Sequence, residues 1–162
     1  MAKDKIPGTP ALRALKAAGI AFSLHPYEYL EHGGTKAAAA ALNVDEHQVV
    51  KTLVMQDEGG RPFLVLMHGD QFVSEKALAR ALKAKTISPC DEASVTRHTG
   101  YQVGGVSPFG AKKALAVYME KSIADLPFIL INAGKRGLLA RMDPADLIKA
   151  LGPSLVEVGR EK

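Results

Sequence analysis

Val49-Val50-Lys51-Thr52-Leu53-Val54-Met55 and Pro62-Phe63-Leu64-Val65-Leu66-Met67, joined by Asp57-Glu58-Gly59-Gly60, decide how this chain is read. Both runs are rich in β-branched and apolar residues, and the connection is an acidic turn ending in two glycines. The stretch therefore predicts a β-hairpin with both strands in the core. Upstream, Thr9-Pro10 places a capping hydroxyl before a proline at the first helical position. Ala11, Leu12, Leu15 and Ala18 then recur at helical spacing until Gly19. Ile20 to His25 alternates apolar and polar residues as a half-buried strand that Pro26 ends, and Thr35 is expected to cap a helix through Ala37 to Ala41 that finishes near Asn43.

Downstream, Ser74 starts a helix with Ala77, Leu78, Ala81 and Leu82 on one face, and Asp91 caps another through Arg97 that Gly100 ends. Strands are expected at 114–119, 127–132 and 137–142. Asp143-Pro144 then opens a helix that Gly152-Pro153 closes, and a last strand covers 155–158. This order lacks the regular strand-helix alternation of a doubly wound sheet. It predicts a mixed α/β fold, a compact mixed sheet or small barrel surrounded by short helices. With no internal repeat and no Pro/Ser-rich linker, residues 1–162 are expected to form a single domain.

Composition narrows the chemistry. The chain has 162 residues, 47% hydrophobic and 23% charged, which is ordinary globular usage and argues against disorder as the main state. Lys and Arg number 21 against 17 Asp and Glu, a net +4 that allows RNA, phosphate or a membrane surface as partner and demands none of them. One cysteine, Cys90, excludes an internal disulfide framework and a four-cysteine zinc site and suits a reducing compartment. Met1 to Pro7 carries charges and no apolar stretch, and no apolar run is long enough to span a bilayer, so a soluble cytoplasmic protein is expected.

Lys51 stands in the middle of an apolar strand. Alternation puts it on a face with Val49, Leu53 and Met55, while Val50, Thr52 and Val54 share the other. A lysine so placed either snorkels from a partly wet face or meets an anion in a cavity. The run Gly100-Tyr101-Gln102-Val103-Gly104-Gly105-Val106-Ser107-Pro108-Phe109-Gly110 has four glycines in eleven residues. A loop of that kind brings backbone N–H groups close to a carbonyl or phosphate, or is a plain turn. It is not a nucleophile elbow, because the G-x-S-x-G spacing is missing and Pro108 offers no N–H after Ser107.

Gly134-Lys135-Arg136-Gly137 is a basic turn at the end of an apolar strand, suited to phosphate or to solvent. It lacks the spacing and the following helix of a Walker loop. His25, His32, His47, His68 and His98 are scattered without a metal-ligand spacing, and Pro89-Cys90-Asp91-Glu92-Ala93 lacks the second cysteine of a deaminase signature. No metal and no cofactor is expected.

Lys51 in V-V-K-T-L-V, T-G-Y-Q-V-G-G-V-S-P-F-G at 99–110 and G-K-R-G at 134–137 together resemble, in type and order, the YbaK/EbsC family of aminoacyl-tRNA deacylases. That superfamily includes the editing domain inserted in bacterial prolyl-tRNA synthetases. T-P-A-L-R-A-L-K and H-P-Y-E are similar to the family's first helix and strand, so the likeness covers nearly the whole chain. It implies a mostly antiparallel, barrel-like mixed sheet with short helices around it. The implied activity is hydrolysis of the ester between a wrong amino acid and the 3′ end of tRNA, Cys-tRNA(Pro) above all, with Cys-tRNA(Cys) as a further substrate.

By position, the resemblance makes Lys51 the essential lysine and puts Gly104, Gly105, Ser107 and Pro108 at the ester. It places Tyr27, Thr99, Tyr101, Gly134, Lys135, Arg136 and Gly137 around the substrate. It implies no protein nucleophile, because a cysteinyl ester carries its own thiol. The implied partners are the tRNA(Pro) 3′ end and prolyl-tRNA synthetase, with no membrane. The alternatives are a deacylase for Ala-tRNA(Pro) or another small amino acid, and a non-catalytic module docking on tRNA or a synthetase.

Overall fold

The computed structural model describes residues 8–161, so the sequence reading of Met1 to Pro7 lies outside the described residues. Helix α1 (Pro10–Ala17) begins where expected, with the Thr9 hydroxyl accepting the Leu12 N–H and Pro10 in the first turn. Strand β1 (Ser23–Pro26) is shorter than the alternation predicts, because the Ile20 N–H still closes the helix end on the Leu15 carbonyl. Helix α2 (Gly34–Leu42) ends at Asn43 in the left-handed conformation, but its cap is Gly33 and not Thr35. The Thr35 hydroxyl is drawn away by tertiary partners, the Glu46 carboxylate at 2.8 Å and the Gly69 carbonyl at 3.1 Å.

The hairpin forms as read, β2 (Val49–Asp57) antiparallel to β3 (Pro62–His68), with Lys51 opposite Met67. Then follow β4 (Gln71–Val73), α3 (Glu75–Leu82) capped by Ser74, β5 (Ile87–Pro89) and α4 (Glu92–Thr99) capped by Asp91. The later strands are β6 (Val117–Glu120), β7 (Ile129–Lys135) and β8 (Leu138–Met142). Asp143 caps α5 (Pro144–Leu151), and β9 (Ser154–Val156) and β10 (Gly159–Glu161) end the described chain.

The main sheet runs β1-β8-β7-β2-β3-β6-β9, with β5 added to β2, and β10 pairs with β4 in a small second ladder. Most pairs are antiparallel, while β2–β7, β3–β6 and β6–β9 are parallel. One sheet face packs Val50, Val54, Leu64, Leu66, Ile129 and Ile131 against α1 and α5. On the other face Met55, Phe63, Val65 and Met67 pack on Leu78 of α3, and Val49, Leu130 and Leu139 pack on Ala38 and Ala39 of α2. Period-2 alternation along β2 therefore feeds two cores, with Lys51 on the face shared by Leu53 and Met55. Among the described residues no helix is long and apolar enough to cross a membrane.

Candidate active site

Strand β2 has a gap along one edge. It pairs with β7 only at Val49 and Val50 and with β5 only from Met55, so Lys51 to Leu53 have a strand neighbour on the β3 side alone. The β7 pairing stops because β7 bulges between Asn132 and Lys135. At this split the structure opens a cleft of about 910 Å³. Both faces of β2 reach it, together with the start of α2, the 103–106 part of the glycine loop, Tyr27, Tyr29, Phe72, Cys90, Asn132 and Arg160.

The backbone of Thr52 faces the gap. The Leu64 N–H goes to the Ala116 carbonyl, away from β2, so Leu64–Val54 and, two residues on, Leu66–Thr52 are non-hydrogen-bonded pairs of the ladder. The Thr52 N–H and C=O therefore face the open edge. Among the described residues its hydroxyl is the buried side-chain polar atom without a hydrogen-bond partner. A buried hydroxyl left unpaired costs about 1–3 kcal/mol.

The glycine loop is tied to the 134–137 turn by Asn132. Its amide donates to the Gly104 carbonyl at 3.1 Å and to the Lys135 carbonyl at 3.2 Å, and its carbonyl oxygen accepts the N–H groups of Gly134 and Lys135. Arg136 adds a second tie, donating to the Val103 carbonyl at 2.9 Å and lying 5.1 Å from the Tyr29 ring centroid. Gly104 and Gly105 are both required by close approach. Gly104 has φ +94°, and a Cβ there would sit 2.7 Å from the Tyr29 hydroxyl; a Cβ at Gly105 would press on the Arg136 backbone nitrogen at 2.9 Å.

The structure does not bring all the residues singled out from sequence to one place. Lys51, Tyr27 and Gly104 line the cleft, whereas Gly105, Gly134, Lys135, Arg136 and Tyr101 line a smaller hollow of about 290 Å³ behind the glycine loop. Thr99, Tyr101, Ser107 and Pro108 are buried and committed to the shape of the loop. Thr99 donates to the Val95 carbonyl, the Tyr101 hydroxyl donates to the Phe109 carbonyl, and the Ser107 hydroxyl accepts the Phe109 N–H. Burial pushes the Tyr101 phenol up to about 12, so it stays protonated and keeps that bond. Gly137 lies under the Tyr27 backbone, its carbonyl accepting the Tyr27 N–H at 2.9 Å.

Neither the thiol in the cleft nor the serine of the glycine loop is an activated nucleophile. The Cys90 thiol is pushed up, first by burial and then by the Asp91 charge, away from the thiolate form. Ser107 is fully buried with its hydroxyl occupied. What the cleft does offer is an ammonium at Lys51, a backbone edge and an unpaired hydroxyl at Thr52, and a glycine loop held at fixed distance. These features orient and polarise a bound carbonyl group.

A sequence model of the aminoacyl-tRNA editing domain matches residues 33–150, which hold most of the cleft wall, with Tyr27, Tyr29 and Arg160 outside them. The chain belongs to the aminoacyl-tRNA editing domain family. It is 26% identical over 160 residues to EbsC of Enterococcus faecalis, covering 98% of each chain; that protein's name provisionally makes it a Cys-tRNA(Pro)/Cys-tRNA(Cys) deacylase. A proline-tRNA ligase of Brachyspira hyodysenteriae is 29% identical over 93 residues, 57% of this chain and 16% of the ligase. In fold, the chain superposes on the crystal structure of a hypothetical protein with a TM-score of 0.85, at 23% identity over 93% of this chain and 99% of that one. It also superposes, with a TM-score of 0.79 and 23% identity over 97% and 99% of the two chains, on one described provisionally as a trans-editing enzyme for prolyl-tRNA synthetase.

Thr52, Tyr29, Phe72, Asn132 and Arg160 are cleft residues that the sequence alone did not single out. Asn132 carried a signal, as the one polar residue ending Phe128-Ile129-Leu130-Ile131 just before the basic turn. Phe72 and Arg160 carried none, because a short ladder of two distant strands brings them together.

Proposed function

We propose that this chain is a trans-acting hydrolase that removes a wrong amino acid from tRNA, with Cys-tRNA(Pro) as its preferred substrate and Cys-tRNA(Cys) as a further one. The observation that carries the reading is the cleft at the strand gap. It has a lysine, an unpaired hydroxyl and a braced glycine loop, and its thiol, Cys90, is held away from the thiolate form. Such a site suits a substrate that brings its own nucleophile. The end-to-end similarity to EbsC supports the same choice.

In this reading the cysteinyl thiol loses its proton and its sulfur bonds to the ester carbonyl carbon. The bond from that carbon to the ribose oxygen breaks, and the ribose oxygen takes up a proton. The products are tRNA with a free 3′-terminal hydroxyl and a cyclic thioester of cysteine, which water opens. Backbone N–H groups near Gly104 and at the Thr52 edge stabilise the oxyanion, and Lys51 offsets the charge that develops at the ribose. Pocket size alone separates substrates differing by one small group by only about 1–3 kcal/mol, so thiol chemistry supplies the remaining discrimination.

The test is a deacylation panel of Cys-, Ala-, Ser- and Pro-tRNA(Pro) with Cys-tRNA(Cys). The reading expects Cys-tRNA(Pro) to be cleaved much faster than Ser-tRNA(Pro). Equal rates for the two would reject the thiol-assisted route, and a preference for Ala-tRNA(Pro) would reject the assigned substrate. Prolyl-tRNA synthetase is the partner this function calls for, since a chain of net +4 makes few phosphate contacts of its own.

A further inference from the structure

Strand β10 brings Arg160 into register with Phe72 of β4, its guanidinium carbon 5.9 Å from the ring centroid, and the Lys51 ammonium lies 5.7 Å from the same ring. All three side chains line the cleft. Phe72 is 46% exposed, a large apolar ring on the lining of the cleft. Among the described residues no carboxylate forms an ion pair with Arg160.

The placement is held from beneath. Glu120 is 8% exposed, and its carboxylate accepts the N–H groups of Val158 at 2.7 Å and Gly159 at 3.0 Å. A buried carboxylate bound to two successive backbone amides fixes where β10 leaves the core, and so fixes the register that lays Arg160 on Phe72. An exposed ring with two cations over it offers a stacking surface and positive charge together, and arginine stacks and binds phosphate in one geometry.

We propose that Arg160 and Phe72 form a nucleotide subsite on the β4–β10 side of the cleft. Arg160 holds a phosphodiester of the single-stranded tRNA 3′ end and Phe72 stacks on a nucleobase of that end, while Lys51 serves the ester; Glu120 is the positioning residue for the pair. The subsite rests on the editing reading above.

The experiment is a salt series of equilibrium binding of uncharged tRNA to the full chain, run beside Cys-tRNA(Pro) deacylation. Arg160→Ala is expected to reduce the slope of log affinity against log salt by about 0.7, the value for one phosphate contact on a single strand. It should raise KM and leave kcat within about twofold, and Arg160→Lys should keep the slope. Phe72→Ala should weaken binding about tenfold with the slope unchanged. A wild-type chain that binds and deacylates, with Arg160→Ala and Phe72→Ala variants that match it in affinity and slope, would overturn the subsite alone. A wild-type chain inactive on every aminoacyl-tRNA in the panel would overturn the proposed function and the subsite with it.

Discussion

The Asn132 side-chain amide donates to the Gly104 carbonyl at 3.1 Å, joining the bulge that opens the cleft to the loop that closes over it. One residue thus ends the pairing of β2 with β7 and sets the height of the glycine loop. Asn132→Asp keeps an acceptor for the Gly134 and Lys135 N–H groups and loses the donor to Gly104. The expected result is a folded protein whose deacylation falls about a hundredfold, the usual penalty for misplacing a catalytic group by about 1 Å. Single-turnover rates and a thermal melt on the same preparation check it. Undiminished rates would mean that the loop height does not matter.

Thr52→Val tests the unpaired hydroxyl in two directions at once. Removing a buried polar atom that has no partner should raise stability by about 1 kcal/mol, because its desolvation is no longer uncompensated. The same change should slow deacylation about tenfold if the hydroxyl meets the substrate. Denaturant midpoints and kcat/KM separate the two effects.

His68 predicts an acid limit to stability. It is fully buried and stacked on His47 at 3.7 Å; its Nδ1 donates to the His47 carbonyl, and its Nε2 lies 2.7 Å from the Ser122 hydroxyl. Burial, aided by the nearby His47 charge, holds its pKa below the ordinary 6.5. The unfolded chain therefore binds this proton more readily than the folded one. The stabilisation from neutral His68 is complete above about pH 6.5 and is lost as pH falls toward the depressed folded value. Urea midpoints measured from pH 7.5 to 5 should fall. A His68→Gln variant, less stable at neutral pH, should show a shallower fall.

Cys90 lines the cleft, but its thiol is held in the protonated form, so Cys90→Ala should keep deacylation within about threefold of the parent. A loss of two or more orders of magnitude would make Cys90 a nucleophile and remove the reason for assigning that role to the substrate thiol. Rates on Cys-tRNA(Pro) at matched protein folding decide it.

The hairpin around Lys51, four of the five helix caps and the glycine loop could be read from sequence because each is a local pattern, set by alternation, capping chemistry or turn residues. Thr35 shows where local reading stops. Its hydroxyl had the right position for a cap, and Glu46 and Gly69, distant in sequence, took it instead. Ser107 looked available between glycines and is fully buried on the Phe109 N–H. The cleft itself had no local signal, since it exists where β7 and β5 leave β2 unpaired, and a strand carries no mark of which neighbours it lacks. For the same reason Lys51 could be singled out alone, while Phe72 and Arg160 beside it could not.

The most direct test of the account is the rate of Cys-tRNA(Pro) deacylation by Lys51→Ala, measured in a single turnover on a variant shown by circular dichroism and melting to be folded. The lysine sits at the split in the sheet and lines the cleft. The account predicts that deacylation falls by at least two orders of magnitude while uncharged tRNA still binds. A folded Lys51→Ala protein that deacylates Cys-tRNA(Pro) at the parent rate would contradict it.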